Sequence, residues 1–141
     1  MTNDLPVVFI AAPRPVVRML GGALSDDASA VGGETWDRCV AWLNDHQPAL
    51  VLVCYAFDEM RPFRLISYIR DDQQRKNLPT VLVRALPVPL GATQEAEIRE
   101  SYKTLGVADF VNVRGLIEEL GERLALEKFR TRIAELLRYR S

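Results

Sequence analysis

Short, unbroken apolar runs alternate with amphipathic stretches along most of the chain. The runs at 6–12, 49–54 and 78–85 are continuous and rich in β-branched residues, which is typical of strands buried on both faces of a sheet. Weaker strands are predicted at 28–31 and 107–113. Between these runs, apolar residues recur at spacings of three and four, which predicts helices with one buried face.

The predicted helices fill the intervals between the strands. They cover 14–24, 35–46, 63–72, 94–106 and a long stretch from 115 to about 139. Regular alternation of strand and helix implies a parallel sheet covered on both faces, and right-handed crossovers favour the strand order 2-1-3-4-5. We therefore predict an α/β, three-layer fold in one domain, with its core at 6–125 and a helical extension at 126–141.

The predicted C-terminal helix is longer than one sheet needs for cover, and it carries two apolar stripes. The first consists of Leu116, Ile117, Leu120 and Leu124, which we expect to pack on the sheet. The second consists of Leu126, Phe129, Ile133 and Leu136, at coiled-coil spacing. A second copy of the chain is the expected partner of this second stripe. The alternative is a helix that bends at Gly121 and folds back onto its own domain.

Composition excludes several classes of protein. The chain has 141 residues, 48% of them hydrophobic, and a formal net charge of −1. Such a balance is typical of a globular domain and gives no general attraction to nucleic acid or to an anionic membrane. The two cysteines, Cys39 and Cys54, are too few for a disulfide framework. The first apolar run is too short for a signal peptide or a membrane span, so we expect a soluble, cytoplasmic protein.

In a parallel sheet of this kind, ligands bind at the carboxyl ends of the strands. The segments predicted to meet at that edge are 11–14, 54–60, 84–86 and 112–114. Neither of the two glycine-rich phosphate-binding motifs, GxGxxG and GxxxxGK[ST], occurs. We expect no cofactor and no metal.

The sequence resembles response-regulator receiver domains over most of residues 6–126. The stretch DRCVAWLNDHQPALVLV resembles the second helix and third strand of that family. LPTVLVRA resembles its fourth strand, and LGVADFVNV resembles its fifth. The resemblance implies a flavodoxin-like fold and a role in two-component signal transduction. It also implies that the face made by the fourth helix, fifth strand and fifth helix binds partners or a second copy.

This sequence differs from receiver domains at the positions that take part in their phosphorylation. Ala12 and Pro13 stand where the family holds paired metal-binding acids, and Cys54 stands in place of the acceptor aspartate. Arg84 replaces the Thr or Ser of the fourth strand, and Val113 replaces the Lys that follows the fifth. The resemblance therefore predicts a degenerate receiver, or pseudo-receiver, without the carboxylates that hold Mg²⁺ or accept a phosphoryl group. Phe110 keeps the place of the family's switching aromatic.

Two residues at the altered site have alternative interpretations. Cys54 is either a reactive thiol, activated by the nearby Arg84, or a small buried group. A desolvated guanidinium needs an acceptor, so we predict that Arg84 pairs with Asp58 or Glu59. The alternative is an anion site in which Arg14, Arg84 and Arg114 bind a phosphate or nucleotide.

Three functions follow from this sequence. The first is a non-enzymatic module that binds a signalling protein, without phosphorylation, through the 86–111 region, and forms a dimer through the C-terminal helix. Apolar residues in the loop before the fourth helix favour it: Leu86, Val88 and Leu90. The second function is a sensor of a small anion at the arginine rim, and the third is an enzyme that uses Cys54.

Overall fold

The computed structural model describes residues 5–58, 62–87 and 91–138. Its strands are β1 (Val7–Ala11), β2 (Ser29–Gly33), β3 (Leu50–Cys54), β4 (Thr80–Arg84) and β5 (Asp109–Asn112). Its helices are α1 (Arg14–Leu24), α2 (Trp36–Asp45), α3 (Pro62–Asp71), α4 (Ala92–Leu105), α5 (Val113–Leu120) and α6 (Glu122–Arg138). The strands form one parallel sheet in the order β2-β1-β3-β4-β5, which confirms the predicted topology.

The centre of the sheet is the most apolar part of the molecule. Strand β3 lies between β1 and β4, and all five of its residues are buried. Helices cover both faces of the sheet: α1, α5 and α6 pack together, and α3 packs beside α4. Each fully buried leucine or isoleucine of this core contributes about 1.5–3 kcal/mol through removal of its side chain from water.

Strand β2 includes two glycines that the sequence analysis had placed after it. A Cβ atom on Gly32 would lie 2.4 Å from a methyl carbon of Val17, and one on Gly33 would lie 2.8 Å from the ring of Phe9. Because the helices pack so closely here, a side chain at either position would collide with its neighbours. The predicted end of this strand at 31 was therefore wrong, and the strand continues to Gly33.

The C-terminal region is two helices, so the prediction of one continuous helix from 115 was wrong. Gly121 separates α5 from α6 and has φ 87° and ψ 162°, a conformation that glycine adopts without strain. The amide of Gly121 still donates to the carbonyl of Ile117, which closes the last turn of α5. Of the two alternatives, the structure shows the helix that breaks at Gly121 and packs on its own domain.

Helix α6 is part of the core rather than an extension beyond it. Phe129 and Ile133 are fully buried, and Leu126 and Leu136 are half-buried against the same core. The prediction that Phe129 and Ile133 face a second chain was wrong for this conformation, because the chain's own core already covers them. Leu124, expected on the sheet, is instead 42% exposed.

Two arginines of α6 form ion pairs with the body of the domain. Arg130 Nε lies 2.7 Å from Asp27 Oδ2, at the end of α1. Arg132 Nε donates over 2.9 Å to Oδ2 of Asp109, the first residue of β5. These contacts fix α6 across both α1 and the edge strand.

Strand β5 is shorter than predicted, and Val113 belongs to α5. The side chain of Asn112 accepts a hydrogen bond from the amide of Gly115 at 2.9 Å and so caps the N-terminus of α5. This cap starts the helix directly after Asn112, which leaves Val113 fully buried in its first turn.

We expect Ile133→Ala to lower the free energy of unfolding by about 2–5 kcal/mol, because it leaves a cavity in the core. Leu124→Ala is the matched control and should cost less than about 1 kcal/mol, since Leu124 is 42% exposed. Urea denaturation followed by circular dichroism measures both values. Equal losses in the two variants would contradict the assignment of α6 to the core.

Candidate functional site

The carboxyl ends of β1, β3, β4 and β5 meet at one edge of the sheet, as predicted. At the end of β1, Ala12 is fully buried and its amide donates to the carbonyl of Gly33 at 3.1 Å. Pro13 follows as the N-cap residue of α1 and makes no side-chain hydrogen bond to the helix. Neither side chain carries an oxygen, so this end of β1 offers no side-chain ligand to a cation.

Cys54, at the end of β3, is only 1% exposed. Burial raises the pKa of its thiol, while hydrogen bonds from the backbone of Ala56 and Ala85 act in the opposite direction and are the smaller effect. A raised pKa keeps the thiol protonated at neutral pH, and the protonated form is the unreactive one. The structure therefore favours the interpretation of Cys54 as a small buried group.

Cys39 is the second buried thiol and lies on the buried face of α2. Its Sγ donates a weak hydrogen bond to the carbonyl of Gly33 at 3.6 Å. Burial, and after it the negative charge of Asp58, raise the pKa of Cys39 to about 12. This thiol is also protonated at neutral pH.

Arg84 ends β4 directly beside Asn112 of β5, its partner in the sheet register. Its Nη1 donates to Asn112 Oδ1 at 3.1 Å. The predicted pairing of Arg84 with Asp58 or Glu59 stays a prediction, since Glu59 lies outside the described residues. Asp58 accepts a hydrogen bond from the amide of Trp36 at 2.6 Å, at the N-terminus of α2.

Asn112 extends the contacts of Arg84 to α4. Its Nδ2 lies 3.5 Å from Glu95 Oε1, and Glu95 Oε1 accepts from Arg99 Nη2 at 3.2 Å. The guanidinium of Arg99 lies 5.0 Å from the centre of the Phe110 ring, a cation–π contact. These residues form a continuous chain of contacts from the end of β4 to Phe110; we name them the β4–α4 chain: Arg84, Asn112, Glu95, Arg99 and Phe110.

Phe110 itself is 2% exposed, and its ring centre lies 6.2 Å from that of Tyr102 on α4. Arg84, Phe110 and the segment 112–114 that contains Asn112 were predicted from the sequence, whereas Glu95 and Arg99 were not. The role of Asn112 as a helix cap also had a signal, since asparagine at the start of a helix is a favoured N-cap residue. Nothing in the sequence pattern indicated Glu95 or Arg99.

The arginines of the proposed anion site contact three different neighbours. Arg14 Nε lies 3.2 Å from Glu34 Oε1, and Arg114 Nε lies 3.4 Å from Glu118 Oε2. Arg84 contacts Asn112 on β5, as described above. Surface ion pairs of this kind contribute at most about 1 kcal/mol, so they do not themselves prevent ligand binding. The anion site over these three residues stays a prediction.

An apolar groove runs between α5 and α6 beside strand β5; we name it the α5–α6 groove. Its volume is about 870 Å³, and Val111 and three leucines form its apolar walls: Leu116, Leu120 and Leu124. Charged side chains of both signs surround them: Glu119, Glu127, Lys128 and Arg132. The groove adjoins a second depression that is lined by Phe110, Arg99 and Glu95 of the β4–α4 chain.

The apolar surface predicted from the sequence lies partly elsewhere. Leu86 is half-buried against the core, and Val88 and Leu90 lie outside the described residues. The exposure of Leu124 was not predicted, since Leu124 was expected to pack on the sheet with Leu116, Ile117 and Leu120.

In residues 5–58, 62–87 and 91–138, no three His, Cys, Asp or Glu side chains are grouped so that they could hold a metal ion. No helix within the same ranges is both long and apolar enough to cross a membrane.

We expect both cysteines of the folded protein to react slowly with iodoacetamide at pH 8, because their raised pKa values leave almost no thiolate. After unfolding in guanidinium chloride, both thiols should react at the rate of a solvent-exposed cysteine. Mass spectrometry of the modified peptides measures the two rates. Rapid, selective labelling of Cys54 in the folded protein would favour the reactive thiol instead.

No protein-family model and no curated protein matches this sequence. Solved structures do match it. The receiver domain of the Francisella response regulator 1452 superposes with a TM-score of 0.71 at 12% identity, over 96% of this chain and 99% of the other. A putative response regulator from Chloroflexus aurantiacus superposes with a TM-score of 0.71 at 12% identity, over 95% of this chain and 98% of the other.

A response regulator from Thermotoga maritima gives a TM-score of 0.69 at 18% identity, over 94% of this chain and 98% of the other. Identities this low show a common fold and nothing more specific. The chain has the receiver-like α/β fold found in response regulators.

Proposed function

We propose that this protein is a non-enzymatic signalling module that acts without phosphorylation and works by binding other proteins, a second copy of itself included. The observation that carries the proposal is the end of β3, where a buried thiol of raised pKa stands in place of a carboxylate. The receiver-like fold supports a role in signal transduction.

The chemistry of the altered edge supports independence from phosphorylation. An acyl phosphate needs a carboxylate acceptor, and Mg²⁺ needs hard oxygen ligands close to it. Cys54, Ala12 and Pro13 supply neither. Arg84 also brings a positive charge to the end of β4, where its guanidinium is held by Asn112.

The β4–α4 chain supports a partner-binding face that is fixed rather than switched. Among the described residues of helix α4, Ile98 is buried and only Tyr102 and Leu105 are half-buried against the core, so polar contacts add to a small apolar face. The contacts of Glu95 with Asn112, and of Arg99 with Phe110, attach this helix to β5. A helix held in this way presents one surface to partners in the absence of any phosphoryl group.

The α5–α6 groove is the docking site in this proposal. Exposed apolar walls with charges around them are typical of protein-binding surfaces. Leu124 is the most accessible leucine of the groove, 42% exposed, and lies in the first turn of α6, which follows the break at Gly121. The groove also borders β5, on the side of the domain that the resemblance implies for partner binding.

Incubation with acetyl phosphate and Mg²⁺ should leave the mass of the intact protein unchanged, because the acceptor carboxylate is missing. A receiver domain that has its acidic residues serves as the positive control under the same conditions. Electrospray mass spectrometry measures the outcome. A stable gain of one phosphoryl group would overturn phosphorylation independence.

Leu124→Glu should abolish self-association and partner capture, because it places a charge in the apolar groove. Ala41→Glu is the matched control, since it adds the same charge at an exposed position of α2. Sedimentation velocity over a range of concentrations measures self-association, and affinity capture from an extract of the producing cells measures partner binding. If Leu124→Glu and Ala41→Glu associate as the original protein does, the groove is not the docking site.

A further inference from the structure

A separate cleft opens at the carboxyl edge of the sheet, between α1 and α5, and its volume is about 280 Å³. This size is below the roughly 300–1,000 Å³ of sites that bury drug-sized ligands, so the cleft fits a molecule smaller than a nucleotide. It lies away from the α5–α6 groove and does not depend on the function proposed above.

The walls of this cleft are almost entirely apolar. They come from the start of α1 and the end of β4, with one side chain from α5: Pro15, Val16, Met19, Ala85, Leu86 and Ile117. Val16 and Ala85 are buried at 2% and 3% exposure, while Met19, Leu86 and Ile117 are half-buried. A branched aliphatic group placed here loses contact with water at no cost in polar desolvation.

Only two of the described residues that line the cleft carry a charge, and the charges are opposite. Arg114 comes from the first turn of α5 and Glu122 from the first turn of α6. The side chain of Arg114 is 32% exposed, and its ion pair with Glu118 spans 3.4 Å at the surface. A pair of this kind is weak, so a carboxylate that enters the cleft can compete with Glu118 for the guanidinium.

We propose that the cleft binds an apolar α-amino acid such as leucine. Arg114 binds its carboxylate, Glu122 binds its ammonium group, and the apolar walls hold its side chain. The charge pattern decides the chemical class. An alkyl carboxylate could engage only Arg114 and an alkyl amine only Glu122, whereas an α-amino acid can engage both.

Isothermal titration of the intact chain with L-leucine tests the site, with thermal unfolding as the second readout. We expect saturable heat and a melting temperature that rises with leucine concentration. 4-Methylpentanoate, which is leucine without the ammonium group, and isoamylamine, which is leucine without the carboxylate, should each bind about tenfold more weakly or worse. Glycine should not bind, since it lacks the side chain. Absence of saturable leucine binding, or equal binding of 4-methylpentanoate, would overturn the proposal.

Substitutions test whether Arg114 and Glu122 bind the leucine. Arg114→Gln and Glu122→Gln should each weaken leucine binding about tenfold or more, and Glu118→Gln should strengthen it by removing the competing carboxylate. Arg123→Gln is the control, because Arg123 is 81% exposed, pairs with Glu127 and does not line the cleft. Unchanged affinity in both Arg114→Gln and Glu122→Gln, with folding verified by circular dichroism, would place the bound leucine elsewhere and contradict the assignment.

Discussion

The side chain of Asn112, at the end of β5, contacts three other elements at the carboxyl edge of the sheet. Its Oδ1 accepts from Arg84 on β4 and from the amide of Gly115 on α5, while its Nδ2 reaches Glu95 on α4. A Cβ on Gly115 would lie only 2.9 Å from this amide, so the glycine makes room for the contact. The ends of two strands and the starts of two helices are thus held by one uncharged side chain.

The topology was predictable because the signal for it is strong and local. Buried parallel strands require continuous apolar runs, and the run at 49–54 became β3 (Leu50–Cys54) almost residue for residue. The errors arose where backbone conformation, rather than hydrophobicity, decides the outcome. A glycine pair that looks like a strand terminator is part of β2, because only glycine fits under Val17 and Phe9. Gly121 stops one helix and starts another, yet apolar spacing continues across it.

At the candidate site, too, some features were predictable from the sequence and others were not. The identity of the residues at the strand ends could be read from the sequence, since strand ends follow from strand positions. Their partners could not be read, because a contact such as Arg99 with Phe110 joins α4 to β5 through side-chain geometry alone. That positions 12, 13 and 54 carry no carboxylate can be read from the sequence, whereas the neutral state of Cys54 depends on its burial. The proposed signalling role therefore depends on both kinds of information.

The glycines of β2 have one more consequence, which concerns the border of the sheet. β2 is an outermost strand, and its sequence SAVGG is short and poor in residues that favour strands. Sheets grow by adding strands to long, flat, apolar borders, and a glycine-rich border is a poor template for that growth. The same close fit that brings α1 and α2 against the sheet thus discourages one route to fibrous aggregation at this border.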